Sequence, residues 1–212
     1  MVTLILVRHG FSVANRENYF AGHTDIPLAD VGFEQANRVC DYVCKNFKPD
    51  AVYSSPLLRC IDTVKGISTA LSIPLILDDG LIEVFGGDWE GVKFTEIYAK
   101  NQEHFLAWNN NKGIVPCLNG ESMGDAGKRA LKTIEKIASE NDGKTLVIAS
   151  HGGVLRAIQC LLSGLPLEKF DDIPWTPNAC ISIVEYDKGK FTPKVFAITE
   201  HLEGLNTNLP NF

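Results

Sequence analysis

A run of aliphatic residues near the start of the chain, Leu4 to Val7, ends abruptly in Arg8-His9-Gly10. A short apolar run that is bounded by a glycine is typical of a parallel strand buried on both faces. In open α/β sheets, ligands bind beyond the carboxyl ends of such strands. The pattern therefore predicts that Arg8 and His9 lie at the ligand-binding edge of a parallel sheet.

The rest of the chain alternates strand and helix patterns. Three further apolar runs predict strands at residues 51–53, 74–77 and 145–150, and apolar residues at helical spacing lie between them. The last two strand patterns, at residues 178–186 and 191–198, flank a turn sequence typical of a β-hairpin. This order predicts an α/β fold: one three-layer α/β/α domain over residues 1–212, with a mostly parallel sheet and an antiparallel edge strand.

Two long segments without a strand pattern lie next to the predicted strand ends. Residues 11–30 are polar and irregular, and Asp30 is predicted to be the N-cap of the helix that follows. Residues 94–110 carry one helical pattern, within a stretch from 85 to 120 that we interpret as a lid insertion. Long loops in compact domains are often functional. The tail from 199 to 212 is predicted to be irregular.

The composition argues against several classes of function. The formal net charge is −6 and no basic stretch offsets it, so we expect no nucleic acid as a partner. No segment approaches the roughly 20 apolar residues of a membrane span, and no signal-peptide pattern precedes the first strand. The six cysteines form no C-x-x-C pair, so we expect free thiols in a soluble, cytoplasmic protein. We expect no membrane partner, and either a monomer or a homodimer.

Four chemically apt positions lie just beyond predicted strands: Arg8-His9, Arg59, Glu83 and His151. Because the carboxyl ends of parallel strands share one edge of a sheet, we expect these side chains to converge there. Their combined chemistry fits phosphoryl transfer, which depends mainly on positioning and on stabilisation of charge.

Each residue type has a role in that chemistry. Guanidinium groups bind phosphate oxygens in bidentate fashion, and a neutral imidazole can attack phosphorus to form a phosphohistidine. A carboxyl group can protonate the leaving oxygen, and a second imidazole can donate to the phosphoryl oxygens. The backbone amides that follow His151, from Gly152 onward, open a predicted helix and add an anion site.

Further motifs accompany these residues in a fixed order. They are Arg8-His9-Gly10, Asn15, residues 22–28, residues 54–60 with Thr63, Leu81-Ile82-Glu83, residues 87–91, residues 120–122 and residues 150–154. Over most of residues 4 to 160, this order resembles the histidine phosphatase superfamily, the phosphoglycerate mutase-like group. The resemblance implies His9 as the phosphorylated nucleophile and Glu83 as the proton donor. Asp79, Asp88 and Glu90 lie close by in the sequence and are alternatives for the acid, with Glu83 favoured over Asp88. It implies a phosphate pocket formed by Arg8, Arg59 and His151 with help from Asn15, and neither a metal nor another cofactor.

The chain departs from this family's pattern at two positions near the site. Phe11 stands where Glu or Gln is common, and Val84 stands where the classical mutases carry an arginine. The apolar side chain of Phe11, together with Phe20, suggests a pocket that tolerates bulky or hydrophobic leaving groups. His23 is a further pocket candidate, and an exposed position in the loop is the equal alternative for it.

The sequence therefore favours a metal-independent phosphomonoester hydrolase of the histidine acid phosphatase type, acting on a small-molecule phosphoester through a phosphohistidine on His9. One alternative is a cofactor-dependent phosphoglycerate mutase, which Val84 disfavours. A second alternative is a module on the same fold that binds a phosphorylated ligand without catalysis.

Overall fold

The computed structural model describes residues 1–207, whose strands form one six-stranded sheet in the order β3-β2-β4-β1-β5-β6. The strands are β1 (Val2–Arg8), β2 (Ala51–Ser54), β3 (Leu75–Leu77), β4 (Thr145–Ser150), β5 (Ile181–Asp187) and β6 (Lys190–Ile198). Strands β1 to β4 pair in parallel, whereas β5 is antiparallel to both β1 and β6. The predicted α/β architecture is confirmed.

Seven α-helices connect or flank these strands within the described part of the chain. They are α1 (Val13–Glu17), α2 (Asp30–Asn46), α3 (Leu58–Leu71), α4 (Phe94–Lys100), α5 (Gln102–Asn110), α6 (Met123–Ser139) and α7 (Gly152–Leu162). Helices α2 and α3 pack against one face of the sheet, and α6 and α7 against the other. In β1, Leu4 and Leu6 face the second pair of helices while Ile5 and Val7 face the first. Burial on both faces explains the uninterrupted apolar run of this strand.

Helix boundaries are where the sequence predictions were wrong. Helix α2 begins at Asp30 itself, and Ala29 is its N-cap with no side-chain hydrogen bond. The Asp30 carboxylate instead lies in the first turn, where it interacts favourably with the helix dipole. The loop at 11–30 contains the short helix α1, which Ser12 caps.

The single helix predicted at 94–110 is two helices, because the chain breaks at Asn101. The Asn101 side chain accepts a hydrogen bond from the backbone N–H of His104 and so begins α5. Asparagine is favoured at the N-cap of a helix and disfavoured in its interior. The break could not be seen in the sequence because apolar residues continue at helical spacing on both sides of Asn101.

The remaining features concern the hairpin, the tail and the membrane question. The hairpin turn between β5 and β6 is Lys188-Gly189, and both residues have positive φ, as a type I′ turn requires. Residues 199–207 contain one 3-10 turn at Glu200–Leu202, and the predicted irregular tail beyond 207 lies outside the described residues.

None of the helices in residues 1–207 is long and apolar enough to cross a membrane.

Candidate active site

A cavity of about 140 Å³ opens at the carboxyl ends of the parallel strands. Strand β1 delivers Arg8 and His9 to it, and helix α3, which follows β2, delivers Arg59 from its first turn. Residues after β3 and β4 complete this part of the wall with Glu83 and Gly152. The parallel topology thus brings together residues that are up to 144 positions apart in the sequence, counted from Arg8 to Gly152.

His9 is held in one orientation by its own backbone neighbourhood. Its Nδ1 lies 2.7 Å from the carbonyl oxygen of Gly10. Since a carbonyl oxygen only accepts, Nδ1 carries the proton and Nε2 is left with a free lone pair. The backbone around the ring is fixed as well, because Asn178 Nδ2 donates to the carbonyl oxygens of both His9 and Gly10.

The electrostatic environment keeps this imidazole neutral. Burial lowers the pKa of His9 well below 6.5, and the positive charges of Arg59 and Arg8 lower this pKa further. A neutral imidazole with its proton fixed on Nδ1 presents Nε2 as a nucleophile. The arginines that would hold an anionic phosphoryl group therefore also prepare the attacking atom.

Arg8 has the most freedom to bind an anion. Its Nη1 donates to the carbonyl oxygen of Thr176, its Nε has no protein partner within residues 1–207, and no bond engages Nη2. Burial lowers the pKa of Arg8 to about 10, while the nearby Glu83 carboxylate raises it. At neutral pH Arg8 therefore carries a charged guanidinium group in a buried part of the cavity wall. The planar arrangement of its N–H donors is suited to binding phosphate oxygens.

Arg59 is 1% exposed; it binds the loop of residues 21–24 and also lines the cavity. Its two Nη atoms donate to the carbonyl oxygens of Ala21, Gly22 and Thr24. Its Nε donates to Nδ1 of His151 over 3.2 Å. Part of this guanidinium is thus committed to holding residues 21–24, and the remaining donor capacity is available to an anion.

The structure places His151 behind Arg59 instead of on the cavity surface. Because Nδ1 accepts from Arg59, the proton is on Nε2, which lies 2.7 Å from the hydroxyl oxygen of Ser55 and donates to it. His151 is fully buried, and its ring centroid lies 5.3 Å from that of His9. In this arrangement His151 orients Arg59. The sequence predicted that His151 also contacts the phosphoryl group directly, and that contact stays a prediction.

The Glu83 carboxylate lies against the start of helix α7. Its Oε1 accepts from the backbone N–H of Val84 and of Val154, and its Oε2 accepts from that of Gly153. These three bonds fix a carboxyl group at the wall of the cavity, beside the expected phosphate position. Asp88, the rival acid, is exposed, bonds to Asn119 and does not line the cavity.

Asn15 combines a structural and a site position. Its Oδ1 accepts from the backbone N–H of Ser12 and from Nδ2 of Asn178, which leaves its own amide N–H groups without a partner in residues 1–207. Since Asn15 lines the cavity, these N–H groups are available to a phosphoryl oxygen.

Of the three residues predicted for the substrate pocket, one lines the cavity. Phe20 lies in the cavity wall, packed against Trp89, Phe94 and Trp108. Phe11 does not line it, and its backbone N–H donates to Oε1 of Gln35 in α2. His23 is exposed and also outside the lining, although its Nε2 donates to the backbone carbonyl of Glu83.

Sequence reasoning missed several cavity residues from distant segments. They are Tyr19, Phe94, Trp108, Lys112, Met123 and Trp175. Helical spacing placed Phe94 and Trp108 on the aromatic side of the helix predicted at 94–110, and nothing in the pattern around Lys112 or Trp175 marks a wall position. Among residues 1–207, no group of three or more His, Cys, Asp or Glu side chains is arranged to hold a metal ion.

The depressed histidine pKa predicts how stability depends on pH. Below pH 6.5 the unfolded chain binds a proton on His9 that the native state cannot bind, so the free energy of unfolding falls as pH falls. This loss of stability is expected to develop as the pH falls from 7.5 to 5.5. Urea unfolding at both pH values should therefore show a smaller loss for His9→Gln than for the wild type. Equal losses in both proteins would contradict the assigned direction.

Gly152 leaves room for the Arg8 guanidinium. Adding a methyl group at this position, as in Gly152→Ala, is therefore expected to lower activity. A Cβ at Gly152 would lie 3.0 Å from Nε and Cζ of Arg8 and 3.1 Å from its Nη2. Because a displacement of 1 Å can cost about 100-fold in rate, we expect Gly152→Ala to lower kcat/KM about tenfold. The measurement is hydrolysis of p-nitrophenyl phosphate together with inhibition by inorganic phosphate.

Gly66→Ala is the matched control for this variant. Gly66 also lies in a helix, its added Cβ would meet Cys40 Sγ at 3.3 Å, and it does not line the cavity. Full activity in both variants would show that the spacing between Gly152 and Arg8 does not matter.

One cavity at the edge of this α/β sheet is lined by a neutral imidazole, two guanidinium groups and a carboxyl group, a combination suited to handling phosphoryl groups. The chain belongs to the histidine phosphatase superfamily (branch 1), whose family model matches residues 4–199. The resemblance inferred from the motifs is thereby confirmed.

Individual relatives match over nearly the full chain. Phosphoserine phosphatase 1 of Hydrogenobacter thermophilus is 31% identical over 205 residues, covering 95% of this chain and 95% of that protein. The 2,3-bisphosphoglycerate-dependent phosphoglycerate mutase 2 of Gloeobacter violaceus is 34% identical over 180 residues, covering 82% and 81%. Among solved structures, YhfR of Bacillus stearothermophilus has a TM-score of 0.90 at 28% identity, covering 95% of this chain and 100% of that one. Phosphatase and mutase names both occur among the relatives.

Proposed function

We propose that this protein is a metal-independent phosphomonoester hydrolase of the histidine acid phosphatase type, acting through a phosphohistidine on His9. The observation that carries the proposal is the free Nε2 of a neutral His9 at a cavity that Arg8 and Glu83 also line. The names of several relatives are those of phosphatases, which supports hydrolysis as the reaction.

In the first step, Nε2 of His9 attacks the phosphorus atom of a small-molecule phosphoester. The P–N bond forms as the P–O bond to the alcohol breaks, and Glu83 gives its proton to the leaving oxygen. Arg8, the free donors of Arg59 and the Asn15 amide stabilise the transferring phosphoryl group. His151 keeps Arg59 in position through its Nδ1.

In the second step, water attacks the phosphohistidine. The Glu83 carboxylate takes one proton from that water, the P–N bond breaks, and inorganic phosphate leaves. The neutral imidazole and the protonated Glu83 are then restored, so the cycle closes without a metal or another cofactor. We place this activity in the cytoplasm, supported by six free cysteines, because a reducing compartment keeps thiols unpaired.

The wall around the acid favours hydrolysis over mutase chemistry. A mutase must retain its substrate and return the phosphoryl group to it, and the classical mutases carry an arginine for this purpose directly after the acid. Here Val84, which is 1% exposed, lines the cavity directly after Glu83 and offers no charge. Release of phosphate to water is therefore the expected outcome.

The test is phosphate release from a panel of phosphomonoesters in the presence of EDTA, including 3-phosphoglycerate with its product isomers resolved. We expect release of inorganic phosphate and, after rapid quenching, an acid-labile phosphoenzyme. Isomerisation of 3-phosphoglycerate without release would identify a mutase. Binding of inorganic phosphate without turnover of any ester would identify a non-catalytic module.

A further inference from the structure

The segment that carries Glu83, the proposed proton donor, belongs to no helix or strand. Residues 82–86 lie between two 3-10 turns, Asp79–Leu81 and Gly87–Trp89. Because no regular ladder of backbone hydrogen bonds fixes such a segment, its carbonyl and N–H groups need partners elsewhere in the chain. The position of the Glu83 carboxyl group therefore depends on the side chains that bind this backbone.

Arg129, on helix α6, commits its whole guanidinium group to this region. Its Nη1 donates to the carbonyl oxygens of Gly80 over 3.1 Å and of Ile82 over 3.0 Å, and its Nη2 donates to that of Glu83 over 3.1 Å. The Glu121 carboxylate accepts from Nε over 3.4 Å and from Nη2 over 3.0 Å. All five N–H groups of the guanidinium thus have an acceptor, and three of these acceptors are carbonyl oxygens at or just before the acid.

Glu121 binds the same segment on the other side of the acid. Its Oε2 accepts from the backbone N–H of Phe85 over 2.9 Å, and its own backbone N–H donates to the carbonyl oxygen of Phe85 over 2.9 Å. The Arg129–Glu121 pair therefore holds the chain both before and after Val84. Neither side chain lines the cavity, so an effect of either one on the reaction must pass through the segment that they hold.

We propose that Arg129 and Glu121 are positioning residues for proton donation, which hold the backbone of Glu83 so that its carboxyl group reaches the leaving oxygen. The N–H groups of Gly153 and Val154 fix the carboxyl end of this side chain, and the Arg129–Glu121 pair fixes its backbone end. The inference rests on the proposed hydrolase function and adds the residues that set its acid in place.

A positioning role has a selective consequence for the reaction. A displacement of about 1 Å can lower the rate of a positioned step about 100-fold. Arg8 and His9 come from strand β1 and Arg59 from helix α3, so binding of the phosphoryl group and attack on it do not depend on residues 82–86. Loss of the pair should therefore slow the esters whose leaving group needs a proton, and should spare those whose leaving group does not.

The test compares an alkyl ester, glycerol 3-phosphate, with an aryl ester, p-nitrophenyl phosphate, whose leaving group needs little protonation. If the wild type does not hydrolyse glycerol 3-phosphate, the best alkyl ester of the panel takes its place. The quantity measured is kcat/KM, because it covers the steps up to release of the alcohol, in which the proton is donated.

Arg129→Lys is the main variant. Lysine keeps the positive charge but carries its three donors on one nitrogen, so it cannot bind the carbonyl oxygens of Gly80, Ile82 and Glu83 together. We expect kcat/KM to fall about 10- to 100-fold for glycerol 3-phosphate and less than about threefold for p-nitrophenyl phosphate. Arg38→Lys, at an exposed position of α2 outside the cavity, is the matched control and should leave both activities unchanged.

Glu121→Gln tests the other member of the pair. Glutamine keeps the size of the side chain, but its amide N–H groups cannot accept from Arg129 or from the backbone of Phe85. We expect the same selective loss, about 3- to 10-fold for the alkyl ester. This variant also answers the question by itself if Arg129→Lys does not fold.

A double variant tests whether Arg129 acts through Glu83. In the Glu83→Gln background there is no proton left to position, so adding Arg129→Lys should lower kcat/KM for glycerol 3-phosphate by less than about twofold. If the two losses multiply instead, Arg129 acts independently of the acid and the inference is wrong.

The remaining outcomes distinguish this inference from the proposed function. If Arg129→Lys and Glu121→Gln lower the activity on both esters equally, the pair has only a structural role. If neither variant lowers either activity, the pair has no role in the reaction. In both cases the inference fails while hydrolysis stands. If the wild type hydrolyses neither an alkyl nor an aryl ester, the proposed function fails and the inference fails with it.

Discussion

Replacing His9 with alanine is expected to abolish the phosphoenzyme and to reduce phosphate release by at least about 10,000-fold. The reason is that the proposed mechanism uses Nε2 of His9 as the attacking atom, and among residues 1–207 no other imidazole lines the cavity. His151, the nearest imidazole, has its Nδ1 engaged by Arg59 and its Nε2 engaged by Ser55. The alanine variant therefore keeps the arginines that bind phosphate but has no nucleophile.

The measurement combines steady-state phosphate release with rapid-quench detection of phosphorylated protein. His104→Ala is the matched control, because His104 bonds to the carbonyl oxygen of Pro116 and does not line the cavity. Binding of inorganic phosphate to His9→Ala shows that the pocket is intact. If His9→Ala keeps substantial turnover while its structure is preserved, the phosphohistidine mechanism is wrong.

The convergence of the phosphate-binding groups could be predicted because it depends on sheet topology alone. Once Leu4 to Val7 and residues 145–150 are recognised as buried strands, a parallel pairing must bring Arg8 and His151 to one edge. The pairing of Arg8 with Ser150 in the observed register shows how direct that relation is. For these residues, the strand pattern and the family motif lead to the same prediction, namely that they lie at one edge of the sheet.

The orientation of each side chain could not be predicted in the same way. Both nitrogens of His151 point to protein partners because Arg59 and Ser55, from the segment after β2, happen to lie on either side of the ring. Phe11 follows His9 by only two positions, yet it does not line the cavity, and its backbone N–H donates to Gln35 of α2. Such outcomes depend on packing between distant segments, which no local pattern records.

The far part of the cavity was unpredictable for a related reason. Lys112 reaches the wall through contacts with Asp171, a residue 59 positions later in the chain. Trp175 joins it because the segment before β5 packs its ring against the Arg156 guanidinium. This part of the cavity wall thus comes from segments outside the family motifs, so the motifs do not predict its shape or its charge.

Replacing Glu83 with glutamine is expected to lower kcat for alkyl phosphates by about 100- to 10,000-fold. Glutamine keeps the size of the side chain and an oxygen for the backbone N–H groups of Val84 and Val154, but it cannot deliver a proton to the leaving alkoxide. An aryl ester such as p-nitrophenyl phosphate needs little protonation of its leaving group. The decrease in kcat for p-nitrophenyl phosphate should therefore be much smaller than the decrease for glycerol 3-phosphate.

This dependence on the leaving group separates proton donation from a structural role of Glu83. A glutamine that merely disturbed the start of α7, through its contact with Gly153, would lower both activities equally. Asp88→Asn is the matched control, since Asp88 is exposed and bonds to Asn119 outside the cavity. If Asp88→Asn produced the selective loss and Glu83→Gln did not, the acid would be Asp88. The bonds that hold Glu83 against the cavity wall would then serve only to anchor helix α7.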